Sequence, residues 1–131
     1  MPLSHVGIPV TDIARSKAFY EAALKPLGMG VTMEFGPEHT ESGGTAIGFG
    51  AEGENGLFWI GDNERVGEGV HIAFETDSHE QVDAFYQAAI SAGGKDNGKP
   101  GPRPHYGPNY YAAFVFDPDG ANIEAVCDKA L

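Results

Sequence analysis

The sequence predicts an α+β fold made of two paired βαβββ modules, and two observations support this prediction. First, segment 18–24 (AFYEAAL) is repeated as segment 84–90 (AFYQAAI), 66 positions later. Second, both copies change their hydrophobic period in the same order, from strand-like alternation to helical spacing and back to alternation. Two copies are too few for a solenoid, so we expect them to share one core. The prediction is one domain over residues 1–131, with modules at about 1–66 and 67–131.

The same offset relates the first strands and the helix ends of the two copies. His5 lies 66 positions before His71, and Gly28 lies 66 positions before Gly94. In both first strands, bulky apolar residues alternate with a histidine and small residues, so the two kinds of side chain point to opposite faces. We expect the bulky face to pack on a helix, whereas the histidine face has space for a ligand.

Each first strand is followed by a helix signal. Thr11-Asp12 and Asp77-Ser78 are typical N-terminal caps, and Ser78 with Gln81 fits a capping box. The predicted helices run from about 13 to 27 and from 79 to 92. Glycines in the left-handed conformation are expected to end them: Gly28 and Gly93-Gly94.

The rest of each copy is predicted to form three antiparallel strands. These are about 31–35, 45–50 and 57–60 in the first copy, then a short strand near Lys95, 110–116 and 121–127 in the second. Two loops rich in Gly and Pro, 36–44 and 97–109, could close over a cavity.

Composition excludes several classes of function. Among 131 residues there are only eight Lys and Arg and the net charge is −11, which argues against a nucleic-acid partner. The single cysteine, Cys127, excludes an internal disulfide and a thiolate metal cluster, so any metal must be held by histidine and carboxylate. No apolar run suits a membrane span or a signal peptide, and we therefore expect no membrane partner and a cytoplasmic location.

Four features together resemble the vicinal oxygen chelate superfamily, which includes glyoxalases, bleomycin resistance proteins and extradiol dioxygenases. They are His5 at the first strand, the Phe19-Tyr20 helix, His71 at the fifth strand and the ending 117–124 (DPDGANIE). The resemblance covers essentially the whole chain. It implies the glyoxalase/bleomycin resistance/dihydroxybiphenyl dioxygenase-like fold, whose sheets curl around a metal ion. The implied metal ligands are His5, His71 and Glu124.

One position departs from the family pattern. The 66-residue offset relates Glu124 to Phe58, which cannot bind metal and is followed by Trp59. A glyoxalase I would be expected to use a carboxylate there as a ligand and as a proton-transfer base. Two imidazoles and one carboxylate suit Fe(II), and also Mn(II), Zn(II) or Ni(II), with positions left open for substrate.

The resemblance therefore implies a metal-dependent lyase, isomerase or transferase that acts on a small oxygenated substrate. An extradiol-type dioxygenase has the same ligand set and would require Fe(II) and oxygen. A metal-free binding protein of the bleomycin-resistance type is the alternative that is not an enzyme. Homodimers are frequent in this superfamily, and a homodimer is expected here because small sheets have edges that need covering.

The final hairpin decides which tyrosine lies beside Glu124. A type I turn at Pro118-Asp119 with a left-handed Gly120 would pair Asp117 with Ala121 and place Tyr110 on the face of Glu124. A two-residue loop would instead place Tyr111 and Ala113 there. We favour Tyr110, whose hydroxyl could hydrogen-bond a metal-bound oxygen.

The proline-rich loop 100–108 presents two further candidates. His105 could act as an acid or base near neutral pH, and Arg103 could bind a substrate carboxylate or phosphate. An ordinary loop role is the alternative for both residues. No role is assigned to His39, His79 or Cys127.

Overall fold

The computed structural model describes residues 3–130, and the chain divides into two compact units, Met1–Gly67 and Glu68–Leu131. Each unit contains one α-helix and one four-stranded mixed sheet in the order βαβββ. This architecture confirms the predicted α+β class. No helix within residues 3–130 has the length and apolar character needed to cross a membrane.

The first unit contains five regular elements. They are β1 (Val6–Pro9), α1 (Ile13–Leu24), β2 (Met29–Phe35), β3 (Ala46–Ala51) and β4 (Phe58–Gly61). The strand order in the sheet is β1-β4-β3-β2, with β1 parallel to β4 and the other pairs antiparallel. Single 3-10 turns follow α1 and β2.

The second unit repeats this arrangement. Its elements are β5 (His71–Glu75), α2 (His79–Ser91), β6 (Lys95–Pro102), β7 (Tyr110–Phe116) and β8 (Asn122–Asp128). The strand order is β5-β8-β7-β6, and β5 runs parallel to β8. Because β8 lies between β5 and β7, its side chains have neighbours on both sides.

The helix starts follow the predicted caps. The Asp12 carboxylate accepts the Arg15 backbone N–H at 3.0 Å, and the Ser78 hydroxyl accepts the Gln81 N–H at 3.2 Å. Gly28 and Gly93 adopt the expected positive φ, at 78° and 102°. Helix α1 ends at Leu24, earlier than predicted, and residues 25–27 form a 3-10 turn. Pro26 explains the early end, since proline has no N–H to continue the helical hydrogen bonds.

The strand near Lys95 is much longer than predicted. Strand β6 continues to Pro102 and so includes 97–102, the first part of the segment that we expected to be a loop. Its pairing with β7 shifts at Asp96/Gly98 and at Gly98/Gly101, so bulges absorb the irregular residues. Because β6 is the edge strand of its sheet, prolines that lack an N–H are tolerated there.

One face of each sheet packs on its helix and forms a core. The fully buried side chains of this kind in the first unit are Val10, Phe19, Tyr20, Leu24, Ile47, Phe49, Phe58 and Ile60. Those of the second unit are Val82, Phe85, Ala113, Val115, Ile123, Ala125 and Cys127, and Phe74 is 7% exposed. The opposite face of each sheet carries the small residues and the candidate site residues.

Ser16 is an exception within the first core. Its side chain is fully buried, and its hydroxyl has no hydrogen-bond partner within residues 3–130. The residue 66 positions later, Val82, is also fully buried and apolar. A buried hydroxyl without a partner lowers stability, because it has lost its hydrogen bonds to water.

We predict that Ser16→Ala raises the free energy of unfolding by about 1 kcal/mol, since the unpaired hydroxyl is removed. Urea denaturation followed by circular dichroism measures the change. Ser91→Ala, at an exposed position of α2, serves as the control for helix propensity alone. A Ser16→Ala protein that is less stable than wild type would show that this hydroxyl is satisfied.

Candidate metal site

The centre of the candidate site is the buried carboxylate of Glu124. Glu124 lies in the middle of β8 and is only 2% exposed. It is paired with Ala73 of β5 on one side and with Phe114 of β7 on the other. A buried charge of this kind requires hydrogen bonds, an opposite charge or a metal ion.

Both oxygens of the carboxylate have a partner. His71 Nε2 lies 2.9 Å from Glu124 Oε1, and the Tyr110 hydroxyl donates to Oε2 at 2.5 Å. The His71 side chain is 48% exposed, so this corner of the site is open to solvent. The structure therefore brings together three of the predicted residues, one from each of the strands β5, β7 and β8.

The turn between β7 and β8 sets this arrangement. Asp117 N–H donates to Ala121 O at 2.9 Å, and Gly120 has a φ of 89°. The resulting register pairs Phe114 with Glu124, as predicted for the bulged hairpin. Tyr110 therefore shares the face of Glu124.

Tyr111 lies on the other face of the sheet, against α2. Its hydroxyl donates to Asp83 Oδ1 at 2.7 Å, and its ring stacks on His79 with centroids 3.9 Å apart. No sequence pattern indicated this contact of His79. The alternative register, with Tyr111 and Ala113 beside Glu124, is thereby excluded.

The donor atoms of His71 and Glu124 fit a shared metal ion. At metal–ligand distances of about 2.0–2.2 Å, two ligand atoms lie about 3.4 Å apart on a tetrahedral ion such as zinc and about 3 Å apart on an octahedral ion. The observed distance of 2.9 Å between Nε2 and Oε1 is close to the octahedral spacing and about 0.5 Å shorter than the tetrahedral one. The same distance also suits a hydrogen bond in the metal-free protein.

His5 belongs to the first unit and precedes β1. Its Nδ1 lies 3.0 Å from the Ser4 hydroxyl, and its ring centroid lies 6.5 Å from that of Trp59. Within residues 3–130, no three side chains of His, Cys, Asp or Glu form a group that could hold a metal ion. The assignment of His5 as a ligand therefore stays a prediction.

The position in the first unit that corresponds to Glu124 is occupied by Trp59, and the expectation of Phe58 was wrong. Ala73 pairs with Glu124, and its counterpart Gly7 pairs with Trp59. The last strands of the two units are thus related by an offset of 65 residues instead of 66. Because side chains alternate along a strand, a difference of one residue exchanges the two faces of the sheet. Phe58 instead packs on Tyr20 of α1, with ring centroids 4.9 Å apart.

Trp59 makes this part of the first unit aromatic. Its ring stacks on Phe35 with an interplanar angle of 9°, and its indole N–H donates to Gly56 O at 3.2 Å. A Cβ atom at Gly48 or Gly56 would lie 2.8 Å from the Trp59 ring, so these two glycines make room for it. No metal ligand is present at this position.

The two loop candidates differ in their placement. The Arg103 guanidinium lies over the Phe114 ring, with Cζ 5.5 Å from the ring centroid, and Phe114 is the neighbour of Glu124. His105 is exposed, and its ring contacts that of Tyr106 at 4.2 Å. Tyr106 in turn contacts the Tyr110 ring at 5.3 Å. Arg103 thus lies beside the site, whereas aromatic contacts connect His105 to it indirectly.

We predict that the Tyr110 phenol of the metal-free protein ionises far above its ordinary pH. Burial, followed by the hydrogen bond to Glu124 and its negative charge, raises the pKa of Tyr110 to about 12. Because the pKa of Tyr110 is higher in the folded than in the unfolded protein, neutral Tyr110 contributes to the free energy of unfolding. This contribution is fully present below about pH 10 and is lost as the pH rises through about 12. The ultraviolet absorbance of phenolate is measured against pH in the wild type and in Tyr110→Phe. The difference between the two curves gives the titration of Tyr110.

The matched variant is Glu124→Gln, which keeps the shape of the side chain but removes its charge. The Tyr110 pKa should then move back toward the ordinary value of about 10. A Tyr110 component that already titrates near that value in the wild-type protein would contradict the hydrogen bond to Glu124.

Comparisons with known proteins agree with this geometry. Residues 3–125 match the family model of the Glyoxalase/Bleomycin resistance protein/Dioxygenase superfamily. A sequence comparison with proteins of curated function gives no significant match.

Solved structures include several similar chains. A glyoxalase/bleomycin resistance protein from Albidiferax ferrireducens T118 is 30% identical, with a TM-score of 0.76 over 98% of this chain and 100% of that one. A mutant of glyoxalase I from Zea mays is 29% identical, with a TM-score of 0.71 over 97% of this chain. The match covers 47% of the maize chain, so this protein spans about half of its length. The chain belongs to the glyoxalase/bleomycin resistance protein/dioxygenase superfamily, as its resemblance to vicinal oxygen chelate proteins predicted.

Proposed function

We propose that this protein is a metal-dependent enzyme of the glyoxalase type that acts on a small oxygenated substrate. The observation that supports the proposal is the buried Glu124 carboxylate, whose Oε1 lies 2.9 Å from His71 Nε2. A lyase, isomerase or transferase reaction is consistent with such a site. His71 and Glu124 would hold the divalent cation.

A divalent cation at these side chains would supply a Lewis acid that polarises oxygen atoms of a bound substrate. The protein contributes the orientation of the donor atoms. Tyr110 holds Glu124 Oε2 at 2.5 Å, which leaves Oε1 directed toward His71. Burial of Glu124 strengthens the electrostatic attraction of a cation, because water does not screen the carboxylate. The half-exposed His71 leaves solvent access for a small molecule.

We further propose His5 as the third metal ligand. The support is its sequence relation to His71, since His5 immediately precedes β1 and His71 is the first residue of β5, 66 positions later. Two imidazoles and one carboxylate suit Zn, Ni, Mn or Fe ions. His5 is supplied either by the same chain or by a second copy of it.

A second candidate function is metal-free binding of a small molecule, and the aromatic surface around Trp59 favours it. Trp59 and Phe35 stack at the place where the second unit has its carboxylate. A cavity of about 260 Å³ adjoins Trp59, with the small residues Gly7, Ala46 and Gly61 among those that line it. The absence of stoichiometric zinc after reconstitution would favour this function.

We predict that His71→Ala and Glu124→Ala each lower the affinity for zinc by about tenfold or more, because each removes a ligand. The fold should stay intact, since the core lies on the other face of the sheet. Isothermal titration of zinc into the metal-free protein measures the affinity, and circular dichroism checks the fold.

The matched control is His39→Ala, which removes an exposed histidine of a polar loop. Its zinc affinity should equal that of the wild type. If all three variants bind zinc as the wild type does, the metal site is not at His71 and Glu124.

We also propose a homodimer, and subunit mixing tests whether one site combines two copies. If His5 of one copy serves His71 and Glu124 of another, mixing His5→Ala with His71→Ala chains restores some intact sites. Tight zinc binding should then reappear after the mixture is unfolded and refolded together. If each site is confined to one chain, the mixture would keep the low zinc affinity of the two variants.

Sedimentation equilibrium provides the independent check of assembly. The proposal predicts a dimer at micromolar concentration, with or without zinc. A monomer under both conditions would contradict the homodimer and would require all ligands to come from one chain.

A further inference from the structure

We infer that the substrate carries an oxyanionic group, a carboxylate or a phosphate, and that Arg103 recognises this group beside the proposed metal site. The inference rests on the proposed function, because it names the class of substrate that the site of His71 and Glu124 would receive.

Arg103 is held firmly by the backbone around it. Its Nη1 donates to Gly101 O at 2.7 Å, with a longer contact of 3.5 Å to Pro102 O, and its Nη2 donates to Lys99 O at 2.8 Å. The Arg103 backbone N–H donates to Tyr110 O at 2.7 Å. The guanidinium is therefore fixed before any ligand arrives, which reduces the entropy lost on binding.

The guanidinium lies on the same sheet face as the candidate metal ligands. Its Cζ is 5.5 Å from the centre of the Phe114 ring, and that ring lies 6.2 Å from the ring of His71. Gly98 makes this packing possible, because a Cβ atom there would lie 3.0 Å from Phe114 and 3.2 Å from Arg103 Nη2. Phe114 thus has the Arg103 guanidinium and the His71 ring as neighbours.

Arg103 has donors to spare and no carboxylate partner. A guanidinium has five N–H groups, and the contacts to three carbonyls leave others for a ligand. The chain has 19 acidic and 8 basic residues, yet within residues 3–130 no carboxylate forms an ion pair with Arg103. An exogenous oxyanion can therefore take that place, with the planar, forked hydrogen bonds that arginine forms with carboxylate and phosphate.

The bulk charge of the protein makes a local cation necessary for such a ligand. At a net charge of −11, the surface as a whole repels anions. A fixed guanidinium next to a bound divalent cation reverses this repulsion at one place. A neutral substrate would not need the guanidinium.

Two matched probes test the inference: 3,4-dihydroxybenzoate and its neutral analogue 3,4-dihydroxybenzamide. Both have adjacent oxygens, but only the first has an oxyanion at the far end. Affinities are measured by ligand-detected NMR with zinc-loaded and with metal-free protein. We expect the wild type to prefer the acid, and Arg103→Gln to reduce that preference by about tenfold or more, with affinity for the amide unchanged. Inorganic phosphate, added as a competitor, shows whether the anion site also accepts phosphate.

Controls separate recognition from structural damage and from attraction to the metal. Lys99→Gln removes an exposed cation of the same segment and should retain the preference, and Arg103→Lys should retain part of it. In the wild type, added salt should lower the affinity for the acid several-fold and leave the affinity for the amide unchanged. A preference that is absent from the wild type, or that persists in Arg103→Gln, would overturn the inference. Zinc affinity, measured separately in the same variants, reports on the proposed function alone.

Discussion

The arrangement of the second unit depends on one buried carboxylate. Glu124 lies in an inner strand and is almost inaccessible to water, so its charge must be balanced within the protein. His71 from β5 and Tyr110 from β7 provide one contact to each oxygen. These contacts join three strands on the sheet face opposite α2. We propose that this site receives a cation and that Arg103, beside Phe114, extends it toward an anionic ligand.

The two units use the same fold for different surfaces. In the second unit the face opposite the helix carries Glu124 and His71, whereas in the first unit it carries the stacked rings of Trp59 and Phe35. The difference arises because the last strands of the two units are shifted by one residue relative to the rest of the repeat. Side chains along a strand alternate between faces, so this shift exchanges them. A duplicated fold has thereby acquired one polar and one aromatic surface. We expect the polar surface of the second unit to bind the metal.

Much of the fold and part of the site could be predicted from the sequence. The repeat gave the βαβββ order, and the Asp-Pro-Asp-Gly turn fixed the register that places Tyr110 beside Glu124. Local turn chemistry decides that register, so no long-range information was required. The full length of strand β6 could not be predicted, because its prolines and glycines are tolerated only through bulges on an edge strand. Trp59 was missed because the repeat offset changes by one residue, which only strand pairing reveals.

The central claim is that His71 and Glu124 hold a divalent metal ion, and anomalous scattering at the zinc absorption edge tests it most directly. The protein is prepared without a histidine tag, reconstituted with zinc and crystallised. We expect an anomalous peak about 2.1 Å from His71 Nε2 and from Glu124 Oε1, with the Tyr110 hydroxyl still bound to Oε2. A map without a peak between these atoms, in which His71 remains hydrogen-bonded to Glu124, would contradict it.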